Sequence, residues 1–188
     1  MNILLVGGSC SLMDSMILKL RKEGHRVYIL TGDKYKHNKY ERVFEKYEFP
    51  YDTENLNSIF ESVNPDATIL MGAFDTNYHW NEEERESVRF VSHLVNILVA
   101  YSTVRKGKLI FFPQMRFIAE YINDIKETEK TIGFGMKADI LAQAEEICEN
   151  FRKNRSTDIV VLRLDHLYCI PRDRKDVNNI CAGCVWNV

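Results

Sequence analysis

The sequence predicts an α/β domain built on a doubly wound parallel sheet, and three observations carry that prediction. Short apolar runs rich in β-branched residues alternate along the chain with longer stretches of helical period. Gly7-Gly8 separates the first such run from the first helical stretch, and Gly24-His25 separates that stretch from the second run. No repeat and no low-complexity linker interrupts the alternation. Strands covered by helices on both faces are apolar throughout, which is the pattern these runs show.

The first strand is expected at Asn2 to Val6 and the first helix at Leu12 to Glu23. Gly24 closes that helix, because glycine tolerates the left-handed conformation that ends a helix. His25 to Leu30 form the second strand, with a short third one near Tyr47 to Tyr51. Leu56 to Val63 form a helix that Asn64-Pro65-Asp66 turns into the fourth strand, Ala67 to Met71. In the long helix, Glu83 to Val104, the residues Val88, Val91, Val95 and Leu98 recur at helical spacing and mark an apolar face. Its Glu82-Glu83-Glu84 start complements the macrodipole. That run is a solvated helix start and not a metal site, since hard cations need converging carboxylates rather than consecutive ones. The fifth strand, Lys108 to Phe112, the last helix, Lys137 to Lys153, and the sixth strand, Asp158 to Leu164, complete the series. Right-handed crossovers then give the strand order 3-2-1-4-5-6, with a ligand crevice above the carboxyl ends of strands one and four.

At 188 residues the chain fits one domain, 1–188, able to bury a core without metals or disulfides. With 25 Lys and Arg against 27 Asp and Glu, a net charge of -2 argues against nucleic acid or an anionic membrane as partner. Met1 to Val6 lacks the basic leader of a secretory signal and no later run reaches membrane-spanning length, so a cytoplasmic location is expected. The five cysteines (Cys10, Cys148, Cys169, Cys181, Cys184) form no even framework and are expected to be reduced, most of them as buried small hydrophobes. Cys181-Ala182-Gly183-Cys184 has the spacing of a dithiol or of half a zinc site, but no second pair stands nearby.

Strand, glycine loop, helix, Gly24-His25, strand: this opening resembles an extended short-chain dehydrogenase/reductase, the NAD-dependent epimerase/dehydratase family of nucleotide-sugar enzymes. Leu70-Met71-Gly72-Ala73-Phe74 resembles the family's small-residue segment under the cofactor, and Asn96-Ile97-Leu98-Val99-Ala100 its Asn-Leu-Leu-Glu-Ala turn. Val161-Leu162-Arg163-Leu164, followed by Tyr168, resembles its Arg-Leu-x-Asn-Val-Tyr-Gly-Pro strand end, with Cys169 and Ile170 in place of Gly-Pro.

The resemblance implies a Rossmann-like fold and a site for NAD or NADP. Gly7, Gly8, Ser9, Ser11 and Leu12 are the loop positions it assigns to the cofactor, through loop amides and a positive helix end that favour phosphate. Cys10 and Met13 stand where the family has its later glycines, with side chains in space that the pyrophosphate or the packed strand otherwise uses. A strand-to-helix turn without ligand is the alternative. The ribose-binding acid is expected at the end of the second strand, where this chain has Thr31-Gly32, then Asp33 and Lys34. Asp33 reaching a ribose hydroxyl, Lys34 reaching a 2′-phosphate, and an ordinary polar turn all fit. Asp52 aligns with the adenine-contacting Asp, or with Thr53 begins the next helix as a cap. Gly72 and Ala73 complete the implied cofactor set.

For catalysis the family uses a Tyr-x-x-x-Lys pair on one helix face, the tyrosine as acid/base and the lysine lowering its pKa and holding the nicotinamide ribose. Here Lys137 is retained, whereas the tyrosine position is Gly133 and Gln114 replaces the catalytic Ser or Thr. Lys137 is thus the one catalytic residue implied, with a solvated helix-start lysine as the alternative. Tyr121 could substitute only if its loop folds back. The family also continues into a sugar-nucleotide half, whereas this chain stops at Cys184-Val185-Trp186-Asn187-Val188. The expected function is a NAD(P)-dependent nucleotide-sugar epimerase/dehydratase-like protein, degenerate or truncated and weakly active or inactive. The alternative is a non-catalytic Rossmann module that senses a nucleotide or scaffolds a partner. A dinucleotide is the expected ligand, and a nucleotide sugar enters only if a substrate half is supplied. A second copy is expected to pair through the helices at Glu83 to Val104 and Lys137 to Lys153, covering apolar residues such as Val185 and Trp186.

Overall fold

The computed structural model describes residues 1–7, 11–31, 43–44, 53–71, 84–104, 106–112 and 136–163. Along them run β1 (Asn2–Val6), α1 (Ser11–Lys22), β2 (Arg26–Leu30), β3 (Val43–Phe44), α2 (Thr53–Val63), β4 (Ala67–Leu70), α3 (Glu84–Val104), β5 (Lys108–Phe111), α4 (Met136–Arg155) and β6 (Ile159–Val161). The six strands form one sheet in the order β3-β2-β1-β4-β5-β6, parallel at every pairing. β1 lies at the centre, with Val6 level with Leu30 on one side and with Leu70 on the other.

Ile3, Leu4, Leu5 and Val6 are all buried, so both faces of β1 are covered and its side chains alternate into two apolar layers. Right-handed crossovers place α1 over one face and α2, α3 and α4 over the other, where α3 packs between α2 and α4. One hydrophobic core joins the strands to Met13 and Ile17 of α1, Phe60 of α2, Phe90 and Leu94 of α3, and Leu141 of α4.

Each turn has a local cause. Gly24 is left-handed at φ 84°, its amide donating to the Arg21 carbonyl at 3.0 Å and the His25 amide to that of Leu20 at 3.0 Å. These two bonds satisfy carbonyls that the end of α1 would otherwise leave bare. Asn64 ends α2 in the same way, at φ 45°, and Pro65 prevents the helix from continuing. Asp66 then ties the amino edge together: its Oδ2 accepts from the Asn2 amide at 2.8 Å and its Oδ1 lies 3.5 Å from Lys106 Nζ. The Tyr101 hydroxyl lies 2.9 Å from the Gly107 and Asp158 carbonyl oxygens, closing the same edge at β5 and β6.

Two expectations need correction. The third strand is Val43–Phe44, ahead of the Tyr47 to Tyr51 expected, which lie outside the described residues. A β-branched and an aromatic residue suit the pleated surface beside β2, where Ile29 and Leu30 pair with them. The buried face of α3 is only partly the one expected: Leu98 is buried and Val91 packs against the core, but Val88 is 69% exposed and the face is made chiefly by Phe90, Leu94, Ile97 and Tyr101, whose larger side chains remove more apolar area from water per position.

A candidate dinucleotide site at the carboxyl edge of the sheet

In a parallel sheet every strand points the same way, so the carboxyl ends share one edge. Here they are locked level: the Gly7 amide donates to the Leu30 carbonyl at 2.8 Å and the Met71 amide to that of Val6 at 2.8 Å. The Phe112 amide donates to Leu70 at 3.3 Å and the Leu162 amide to Phe111 at 2.9 Å. The order of strands reverses between β1 and β4, and a crevice opens at such a switch point because the two neighbouring crossovers leave in opposite directions.

Gly7 occupies that point. It is buried and left-handed at φ 74°, a conformation that glycine adopts without steric cost and that turns the chain sharply out of β1. α1 begins at Ser11, so the backbone of Ser11 and Leu12 forms a helix start whose amides lack intrahelical acceptors. α4 begins at Met136 and places Lys137 in its first turn at the same edge. Gly7, the start of α1 and the backbone of Lys137 are thus brought to one edge of the sheet. Gly8, Ser9, Cys10, Asp33, Asp52, Gly72, Ala73, Gln114, Gly133, Cys181 and Cys184 lie outside the described residues.

Met13 is 0% exposed and belongs to the core beneath α1, so this position fills the helix-sheet contact with a side chain where a glycine would permit closer approach. The residues directly after β1, β2, β4, β5 and β6, namely Gly7, Thr31, Met71, Phe112 and Leu162, include no carboxylate, whereas β3 is followed in sequence by Glu45. The positive start of α1 suits an anionic ligand, whereas Glu84 and Glu86 in the first turn of α3 offset the positive end of that helix. Among the described residues no group of three or more His, Cys, Asp or Glu gathers to hold a metal ion, and no helix is long and apolar enough to cross a membrane.

Sequence reasoning missed two buried polar features. Arg163, just past β6, holds Glu145 of α4 through its Nη2 at 2.8 Å and its Nε at 3.2 Å. Eighteen residues separate the pair, and no local signal joins them. His93 of α3 is 2% exposed, and burial, reinforced by the Arg89 charge, pushes its pKa down to about 3, so the ring is neutral at pH 7. Its signal was present: Phe90, His93, Leu94, Ile97, Leu98 and Tyr101 follow the i, i+3, i+4, i+7, i+8, i+11 pattern of a buried helix face. Cys148 is buried with its thiol pushed up to about 12 by burial and by Glu145, which makes it a core side chain and not a nucleophile.

No family model matches the sequence, and no curated protein matches it. Solved structures do. The UDP-glucose 4-epimerase of Thermotoga maritima, solved with UDP-glucose, superposes at a TM-score of 0.74 and 20% identity over 92% of this chain and 58% of its own. The UDP-glucose 4-epimerase of Thermus thermophilus, solved with NAD, gives 0.72 at 17% identity over 91% and 57%. The dTDP-glucose 4,6-dehydratase of Bacillus anthracis, solved with NAD, gives 0.68 at 15% over 87% and 54%.

The fold is that of an extended short-chain dehydrogenase/reductase.

The chain spans less than three fifths of the length of each of these three neighbours. Within the short-chain dehydrogenase/reductase fold, β1, Gly7 and α1 stand where the resemblance implied the cofactor loop, and α4 carries Lys137 at its start.

Proposed function

We propose that the protein is a dinucleotide-binding domain of the nucleotide-sugar epimerase/dehydratase kind that binds NAD or NADP at the carboxyl edge of its sheet and has lost most hydride-transfer activity. The observation that carries this reading is the left-handed Gly7 at the switch point between β1 and β4, next to the start of α1. The NAD and UDP-glucose complexes of the structural neighbours support it. Gly7, Gly8, Ser9, Ser11 and Leu12 hold the pyrophosphate, Asp33 and Asp52 face the adenosine, Gly72 and Ala73 pass beneath the cofactor, and Lys137 holds the nicotinamide ribose. When bound, the nicotinamide supplies a hydride acceptor or donor. With glycine at 133 and glutamine at 114, proton transfer loses its tyrosine and hydroxyl, each loss worth roughly a hundred- to ten-thousand-fold in rate. Two copies pair through α3 and α4, and the exposed Val88 is apolar surface that such a pairing covers.

The test is native mass spectrometry of the protein with NAD and NADP titrated in, alongside absorbance at the reduced-nicotinamide band with UDP-glucose added. Binding without turnover is expected. Steady formation of reduced cofactor would overturn the loss of activity, and failure to bind either dinucleotide would favour the alternative, a partner scaffold on the same fold.

A further inference from the structure

We draw no further inference here: the strongest candidate, the basic surface patch at the amino edge of the sheet where Lys19, Lys22, Arg26, Lys106, Lys108 and Arg155 stand, carries nothing, because basic residues in the last turns of α1 and α4 complement the negative ends of those helices, Asp66 and Asp158 pair with Lys106 and Lys108, and nothing in the structure shows what covers this edge.

Discussion

Gly24 and Gly107 share a left-handed backbone, at φ 84° and 78°, but not a neighbourhood. A Cβ on Gly24 meets nothing within 4 Å, whereas one on Gly107 falls 2.5 Å from the Pro65 carbonyl oxygen and 2.6 Å from that of Asp66. Backbone atoms held by the β4–β5 ladder cannot step aside. Gly24→Ala should therefore cost about 1–2 kcal/mol from conformation alone, and Gly107→Ala about 3 kcal/mol or more, as read by urea unfolding. Equal losses would mean that the loop before β5 yields more readily than its hydrogen bonds suggest. His93 gives a second residue-scale expectation. Its folded pKa lies below its unfolded value near 6.5, so the unfolded chain binds the extra proton as pH falls. The stabilisation is complete above about pH 6.5 and is lost below it, at up to roughly 1.4 kcal/mol per pH unit, until the folded pKa is reached. Asp66 acts in the same sense only at lower pH, since the Asn2 amide and then Lys106 hold its carboxyl below the usual range. Between pH 6.5 and 4.5, the unfolding free energy of the unaltered protein should fall more steeply than that of His93→Gln. Parallel slopes would show that this histidine is not the group responsible.

At the scale of elements, β6 is three residues long and among the described residues pairs with β5 alone, so its place depends on what anchors it to α4. The Glu145–Arg163 pair is such an anchor, with its carboxylate side chain only 10% exposed. Glu145→Ala removes the carboxylate from a partly buried guanidinium and should cost about 3 kcal/mol, while Glu145→Leu with Arg163→Met should recover most of that loss. Urea unfolding of the single and double variants decides it, and a double variant as unstable as the single would assign the loss to packing. The strands and helices themselves were legible in sequence because each apolar run is long enough to declare its period. Arg26–Leu30 and Met136–Arg155 begin within one residue of expectation. β3 was not, since two residues carry no periodicity and owe their conformation to pairing with Ile29 and Leu30. The glycine turn of the candidate site was likewise visible in Gly7, but the Glu145 contact was not, because it depends on how α4 crosses the edge strand.

For the whole molecule, strand order followed from alternation and handedness, two rules that act on the entire chain and do not need side-chain detail. Assembly is less constrained by such rules. The proposed pairing of α3 and α4 between copies predicts a sedimentation coefficient at micromolar concentration corresponding to twice 22.0 kDa, and Val88→Glu should shift it toward the monomer by placing a charge in the seam. A monomeric profile for the unaltered protein would count against that arrangement. The central position of β1 has a further consequence, for the order of events at the ribosome. Ile3 to Val6 leave the exit tunnel before either flanking partner has emerged, and the β4 residues they pair with, Ala67 to Leu70, are sixty-four positions further along. At about 5–20 residues per second, this fully apolar strand waits roughly 3–13 s for its second neighbour. During that interval its unpaired amide and carbonyl rows are open to any other nascent strand, which makes the earliest-made segment of the sheet the one most dependent on chaperone shelter.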